Sequence, residues 1–311
     1  MGKIALLFAG QGAQYPGMGR DLYESSPAAK KVFDMGEEIY PGVISMCFEA
    51  DRETLSLTEN TQPCLFLCDL ACARAAKEAG AAFDMAAGFS LGEIAALAYA
   101  GVISDSDAFR LVCLRGEAMS RCAAQNPGSM CAVLKLSSET VERIASGFAA
   151  VYPVNYNCPG QIAVAGASDE MSAFMDAVKA EGGRAVRLAV SGAFHTPFMK
   201  EASDRIREFM SKLDINKPQI PLYSNFTGDL YPEESGEICD IASSQASNSV
   251  KWETILKNMS EKGAGVFVEA GAGETLSGFV SRTLPGAVSL NVGDAASLAK
   301  SISVIKEITN A

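Results

Sequence analysis

An α/β fold with a mostly parallel sheet covered on both faces is predicted by two patterns along the chain. Short apolar runs alternate with helices at both ends of the sequence, and a middle stretch interrupts that rhythm with an element order of its own. The size permits such a fold: 311 residues, 48% apolar and 20% charged, can bury a large core in one domain with an insertion.

Lys3 to Phe8 reads as a buried strand that runs into the Gly-rich turn Ala9-Gly10-Gln11-Gly12-Ala13-Gln14. The turn has the character of a site loop. It is a poor phosphate cradle, because no Lys-Ser/Thr follows its glycines and no helix starts directly behind it. Helices are predicted over Asp21 to Ile39 and Thr61 to Ala79, the second with Thr61 as cap and Pro63 in its first turn. Ala87-Gly88-Phe89-Ser90-Leu91-Gly92-Glu93 then joins a short apolar run to an Ala-rich helix. Ser104-Asp105-Ser106-Asp107 caps a further helix to about Ala124, with Arg115 among Leu111, Val112, Leu114 and Met119. By pattern alone such an arginine is a surface cation that snorkels outward.

From Ser129 to Val190 the order becomes β-α-β-β-α-β. Its members are Met130 to Leu136, Glu139 to Gly147, Val151 to Tyr156, Gln161 to Ala165, Asp169 to Glu181 and Ala185 to Val190. That order matches the ferredoxin-like unit and marks an inserted subdomain, with Gln125-Asn126-Pro127-Gly128 and Ser191-Gly192 as hinges. The predicted division is therefore 128–191 for the ferredoxin-like (βαββαβ) subdomain and 1–127 with 192–311 for the α/β core. The core resumes with a strand near Pro221 to Ser224, a helix around Trp252 to Glu261 and a strand Gly265 to Glu269. The turn Gly271-Ala272-Gly273-Glu274, a helix to Arg282, a strand near Val288 to Val292 and a helix Asp294 to Ile308 complete it.

Composition narrows the function. A net charge of −11 argues against general binding of nucleic acid or anionic membranes, both of which need a basic surface. No apolar run reaches the ~18 residues of a membrane span. The N-terminus lacks a basic region and a cleavage site, so a cytoplasmic protein is expected. Nine cysteines without a Cys-x-x-Cys point to reduced thiols. Cys64, Cys68 and Cys72 share one helix face and are expected to pack the core rather than bind metal. No metal or cofactor is expected, and in the absence of a strong exposed apolar stripe the chain is expected to be a monomer.

Chemistry gathers at two places. Gly88-Phe89-Ser90-Leu91-Gly92 fits Gly-x-Ser-x-Gly, in which a sharp strand-to-helix turn presents a serine hydroxyl at a helix N-terminus. Ser90-x-x-Glu93 equally fits a capping box, where the serine only closes the helix. The single histidine, His195, follows the second hinge, at the mouth between the two predicted units. Ser90 precedes His195, the nucleophile-then-base order of α/β-hydrolase-like sheets, and a serine hydroxyl needs an imidazole to take its proton. No acidic residue of catalytic character lies between them.

Taken together, several motifs resemble the malonyl-CoA:acyl carrier protein transacylases. They are Gly10-Gln11-Gly12-Ala13-Gln14, Gly88-Phe89-Ser90-Leu91-Gly92-Glu93, Arg115, Asn157-Cys158-Pro159-Gly160-Gln161, Gly192-Ala193-Phe194-His195, and Gln245 ahead of Val250-Lys251-Trp252. The resemblance covers nearly the whole chain. It implies that Ser90 takes the malonyl group from malonyl-CoA as an acyl-serine and passes it to the phosphopantetheine thiol of acyl carrier protein, supplying fatty-acid synthesis. His195 would act as base and acid, held by main-chain carbonyls near Gln245, which accounts for the missing carboxylate. Gln11 and the Leu91 N–H would form the oxyanion hole, and Arg115 would pair with the malonyl carboxylate. Phe194 resembles the malonyl-selective pattern. A polyketide pathway, or an acyl-CoA hydrolase using the same Ser-His pair, are the alternatives. Three positions depart from the family: Phe89 where it usually has His, Ser249 where it often has Pro, and Ala272 where Gly-Pro-Gly is common. A basic rim for the carrier protein is expected from Lys200, Arg205 and Lys251.

Overall fold

The computed structural model describes residues 2–190 and 192–310; Ser191, one of the predicted hinge residues, lies outside them. The first half of the chain forms β1 (Lys3–Phe8), α1 (Arg20–Ser25), α2 (Pro27–Ile39), α3 (Val43–Glu49), α4 (Arg52–Leu55), α5 (Thr58–Glu78), β2 (Met85–Gly88), α6 (Gly92–Tyr99) and α7 (Asp105–Gln125). The middle forms β3 (Gly128–Leu134), α8 (Ser138–Ala145), β4 (Val151–Cys158), β5 (Gln161–Ala167), α9 (Ser168–Ala180) and β6 (Arg184–Arg187). The last part forms α10 (Lys200–Met210), β7 (Leu222–Tyr223), α11 (Ser235–Ser244), α12 (Trp252–Glu261), β8 (Ala264–Ala270), α13 (Thr275–Thr283), β9 (Val288–Val292) and α14 (Ala295–Asn310).

Five strands make a parallel sheet in the order β7-β2-β1-β8-β9. Its inner strands β1, β2 and β8 are apolar almost without alternation because both faces are covered, whereas the edge strand β9, Val-Ser-Leu-Asn-Val, alternates. Ile4, Leu6 and Phe8 of β1 enter the main core with α2, α5, α6 and α7, while Ala5 and Leu7 face the opposite side, against Trp252, Ile255 and Leu256 of α12 and Phe279 of α13. The other sheet is antiparallel, in the order β4-β5-β3-β6. Cys131, Val133, Ile162 and Val164 form its own small core with Phe174 and Val178 of α9. Met130, Val154, Ala163 and Ala165 join the main core instead. Val250 ties the sheets together: its N–H donates to the Val154 carbonyl and its carbonyl accepts from the Tyr156 N–H.

Several local expectations are corrected. The helix expected over Asp21 to Ile39 is two helices, because Ser26 is extended (φ −119°, ψ 117°) ahead of Pro27 and caps α2 by accepting from the Ala29 N–H. Thr61 is not a cap: α5 starts at Thr58, and the Thr61 hydroxyl donates to the Leu55 carbonyl from within the helix. The short helices α3 and α4, and the ten-residue α11, were not among the expected elements. The strand expected to reach Val190 ends at Arg187, and the one near Pro221 shrinks to Leu222–Tyr223. Cys64, Cys68 and Cys72 are buried in the main core.

The join between β2 and α6 is as tight as the backbone allows. A Cβ on Gly88 would sit 2.0 Å from the Gly92 carbonyl, and a Cβ on Gly92 would sit 2.4 Å from the Phe8 oxygen. Gly92→Ala is therefore expected to destabilise the protein by about 2 kcal/mol or more, because the clash is with backbone that cannot rotate away. Chemical denaturation measures this; wild-type stability in the variant would contradict the packing.

Candidate active site

Because α6 presses so closely onto the strand ends, the residue that turns the chain between them must take a left-handed conformation. That residue is Ser90, at φ 53°. Glycine would adopt it freely, whereas a serine there is held by its surroundings. Its hydroxyl is not a helix cap, and Glu93 does not reach back to it: Glu93 Oε1 accepts from the Asn225 N–H at 2.9 Å and the Tyr231 hydroxyl at 2.8 Å. The capping-box alternative is thereby removed.

Ser90 Oγ instead lies 2.7 Å from His195 Nε2. His195 is also left-handed, at φ 63°, and buried. Its Nδ1 is 3.0 Å from the Gln245 carbonyl, which can only accept, so the proton sits on Nδ1 and Nε2 is left to accept from the serine. Burial, helped by the nearby Arg115 charge, pushes the imidazole pKa down from 6.5 to about 4, so the ring is neutral at physiological pH.

Arg115, on α7, is 1% exposed, so the surface-cation expectation is wrong. The side of α7 that carries it packs on α5, and carboxamides replace water around the guanidinium. Nη1 donates to Gln62 Oε1 at 2.8 Å, and Nη2 donates to Gln245 Oε1 at 3.0 Å and to Ser90 Oγ at 3.3 Å. Nε has no partner, and among the described residues no carboxylate lies within ion-pair distance. Burial lowers its pKa to about 10, which leaves it charged. Burial likewise raises the Glu93 carboxyl to about 7.

Ser90, His195, Arg115, Gln11 and Phe194 all line one cavity of about 90 Å³, whose walls include Met119. Gln11 Nε2 donates to Thr58 Oγ1 at 3.2 Å. Leu91 begins the turn into α6, and no hydrogen bond among the described residues uses its N–H. Phe89 walls both this cavity and a neighbouring one of about 230 Å³, with its ring edge-on to Trp252 at 5.3 Å. A much larger space of about 960 Å³, bordered by Arg207 and Asp240, is an open groove away from all these groups. Lys200, Arg205 and Lys251 do not line the Ser90 cavity; Lys200 is an exposed cation paired with Asp204.

The sequence reading named Ser90, His195, Arg115, Gln11, Phe194 and Gln245, and these come together. It missed Gln62, Asn225 and Tyr231. Asn225 sits in Ser224-Asn225-Phe226-Thr227-Gly228, which reads as a turn, and nothing local signals that its side chain points 135 residues back along the chain.

Comparison with known proteins adds an independent line. The acyl transferase domain model matches residues 5–304. A malonyl CoA-acyl carrier protein transacylase of Bacillus subtilis (strain 168) is 36% identical over 313 residues, covering 99% of this chain and 98% of the relative. The crystal structure of a malonyl CoA-acyl carrier protein transacylase from Clostridium perfringens superposes with a TM-score of 0.94 at 34% identity, covering 99% of this chain and 98% of that one. A malonyl-transacylase solved in complex with its type II PKS acyl-carrier protein superposes with a TM-score of 0.93 at 32% identity, covering 97% and 99%.

The His195 geometry sets a pH dependence. The base is active when neutral, so Ser90 labelling by a fluorophosphonate probe should stay level from about pH 6 to about 5 and fall as pH drops through about 4. Glu93, at about 7, is already mostly protonated below pH 6 and does not shape that limb. A midpoint near the ordinary 6.5 would contradict the burial of the imidazole.

Proposed function

The chain belongs to the acyl transferase family, among the malonyl CoA-acyl carrier protein transacylases, and on that premise we propose that it moves a malonyl group from coenzyme A to acyl carrier protein through an ester on Ser90. The observation that carries this reading is Arg115: a buried cation with no carboxylate partner, 3.3 Å from the serine oxygen. In malonyl-CoA the free carboxylate is two bonds from the thioester carbonyl carbon. A guanidinium this close to the attacking oxygen suits such a short diacid, and the 90 Å³ cavity suits a small acyl group.

In the first half-reaction His195 Nε2 takes the Ser90 proton as Oγ attacks the thioester carbon. The resulting oxyanion is met by the Gln11 carboxamide and the Leu91 N–H. Collapse breaks the C–S bond, and the departing CoA sulfur receives the proton from Nε2. In the second half-reaction the carrier's phosphopantetheine thiol gives its proton to Nε2 and attacks the ester. Ser90 leaves as the hydroxyl and His195 returns to neutral. Throughout, the Gln245 carbonyl holds the Nδ1 proton and steadies the transient imidazolium. Phe194 closes the acyl cavity beside His195. The thioester brings its own activation, so the chemistry needs no metal or cofactor.

The strand order β4-β5-β3-β6 with α8 and α9 supports assigning 128–191 as a ferredoxin-like subdomain inserted in an α/β-hydrolase-like core of 1–127 and 192–311. Malonylated carrier is the extender unit of fatty-acid synthesis; a polyketide carrier would be served by the same geometry. No helix among the described residues is long and apolar enough to cross a membrane, and our reading is of a cytoplasmic monomer.

Malonyl-CoA is expected to leave one malonyl group on Ser90, located by peptide mass mapping and discharged by carrier protein. Arg115→Ala should lose about a hundredfold in kcat/KM for malonyl-CoA, roughly 3 kcal/mol, with acetyl-CoA far less affected. No Ser90 adduct, or free malonate in place of loaded carrier, would refute the proposal.

A further inference from the structure

Outside glycine, only three described residues have positive φ: Ser90, Lys135 and His195. The strain at Ser90 needs an external hold, and the hydrogen bonds around the turn identify it. The Ser90 N–H donates to Asn225 Oδ1 at 2.7 Å. On the other side of the same carboxamide, Asn225 Nδ2 donates to the Gly88 carbonyl at 2.6 Å. One side chain thus bridges the residues before and at the turn. Asn225 is itself immobilised: its N–H donates to Glu93 Oε1 at 2.9 Å, its carbonyl accepts from the Lys251 N–H at 2.9 Å, and it has no exposed surface. Glu93 belongs to the helix that the turn begins, so the bridge is closed onto α6. Asn225 does not line the Ser90 cavity and would not touch substrate.

We propose that Asn225 is a positioning residue for acyl transfer: its carboxamide holds Ser90 in the left-handed turn that brings Oγ to His195, and by occupying the Ser90 N–H it leaves the Leu91 N–H as the backbone donor for the oxyanion. The inference rests on Ser90 being the nucleophile. Without the bridge Ser90 can relax towards ordinary backbone angles, which would carry Oγ away from Nε2 and turn the Leu91 N–H with it. The Gln245 carboxamide, which donates to the Ser90 carbonyl at 2.6 Å, cannot replace it, because it grips only the far side of the turn.

Asn225→Asp tests this with almost no change of shape. A protonated aspartic acid keeps both bonds, donating to the Gly88 carbonyl and accepting from Ser90. An ionised one still accepts from the Ser90 N–H but has no hydrogen for the Gly88 carbonyl and sets an oxygen against it. A carboxyl this buried ionises late, with the Glu93 carboxylate opposing its charge and Arg115 favouring it, while Tyr231 and His195 are neutral nearby. The rate of malonyl-Ser90 formation, the KM for malonyl-CoA and the melting temperature are measured from pH 6 to 9 for wild type, Asn225→Asp and Asn225→Ser. The variant-to-wild-type rate for Asn225→Asp should fall about tenfold or more as pH rises, and Asn225→Ser should be about a hundredfold slower at every pH, both with KM within about threefold. Either folded variant acylating within about twofold of wild type across the range, or a loss carried by KM, would overturn the role of Asn225. A wild-type protein with no Ser90 adduct would instead overturn the nucleophile assignment and this inference with it.

Discussion

Gln245 is the residue on which the site depends, because it touches each of the three groups that define it. Its backbone carbonyl takes the Nδ1 proton of His195, its Oε1 accepts from Arg115, and its Nε2 donates to the Ser90 carbonyl. All of these contacts are buried, where a lost partner costs more than the bond itself is worth. The orienting group behind the imidazole is therefore neutral, and that has an electrostatic consequence. A carboxylate in its place would raise the imidazole pKa and would also lie within reach of Arg115. It would then compete with a substrate carboxylate for the one buried cation. A carbonyl fixes the tautomer without adding a charge.

The scaffold explains how this is assembled. Ser90 stands at the end of β2, Arg115 in the middle of α7, His195 beyond the antiparallel sheet, and Gln245 at the end of α11. Each is placed by a different packing contact with the parallel sheet or its covering helices. Glycines at 88 and 92 let α6 close onto β1 and β2, and the resulting turn leaves no ordinary conformation for Ser90. Phe89, the departure from the family beside the serine, is accommodated as an aromatic neighbour of Trp252 and Phe279. It takes no part in the polar network.

What could be read in the sequence was what is encoded locally. Short apolar strand runs, the Gly-x-Ser-x-Gly turn and the Ser104 cap each lie within a few residues, and the structure has them. A lone histidine made the second partner a matter of counting. Arg115 was legible only through the family resemblance: pattern alone made it a surface cation, because its solvation by Gln62 and Gln245 depends on residues 53 and 130 positions away. Asn225 and Tyr231 were missed for the same reason: Asn225 meets the Ser90 turn from 135 residues away and Tyr231 meets Glu93 from 138, and a turn-rich segment hides them. Helix limits failed where a tertiary constraint outweighed propensity, as at Ser26-Pro27 and at the start of α5.

The central claim is that the acyl group rests on the protein between donor and acceptor. Initial rates measured against malonyl-CoA at several fixed concentrations of phosphopantetheinylated carrier protein test it most directly. A covalent ester at Ser90 predicts parallel lines in the double-reciprocal plot, since CoA leaves before the carrier reacts. Lines that intersect would mean direct transfer within a ternary complex, and would contradict the account.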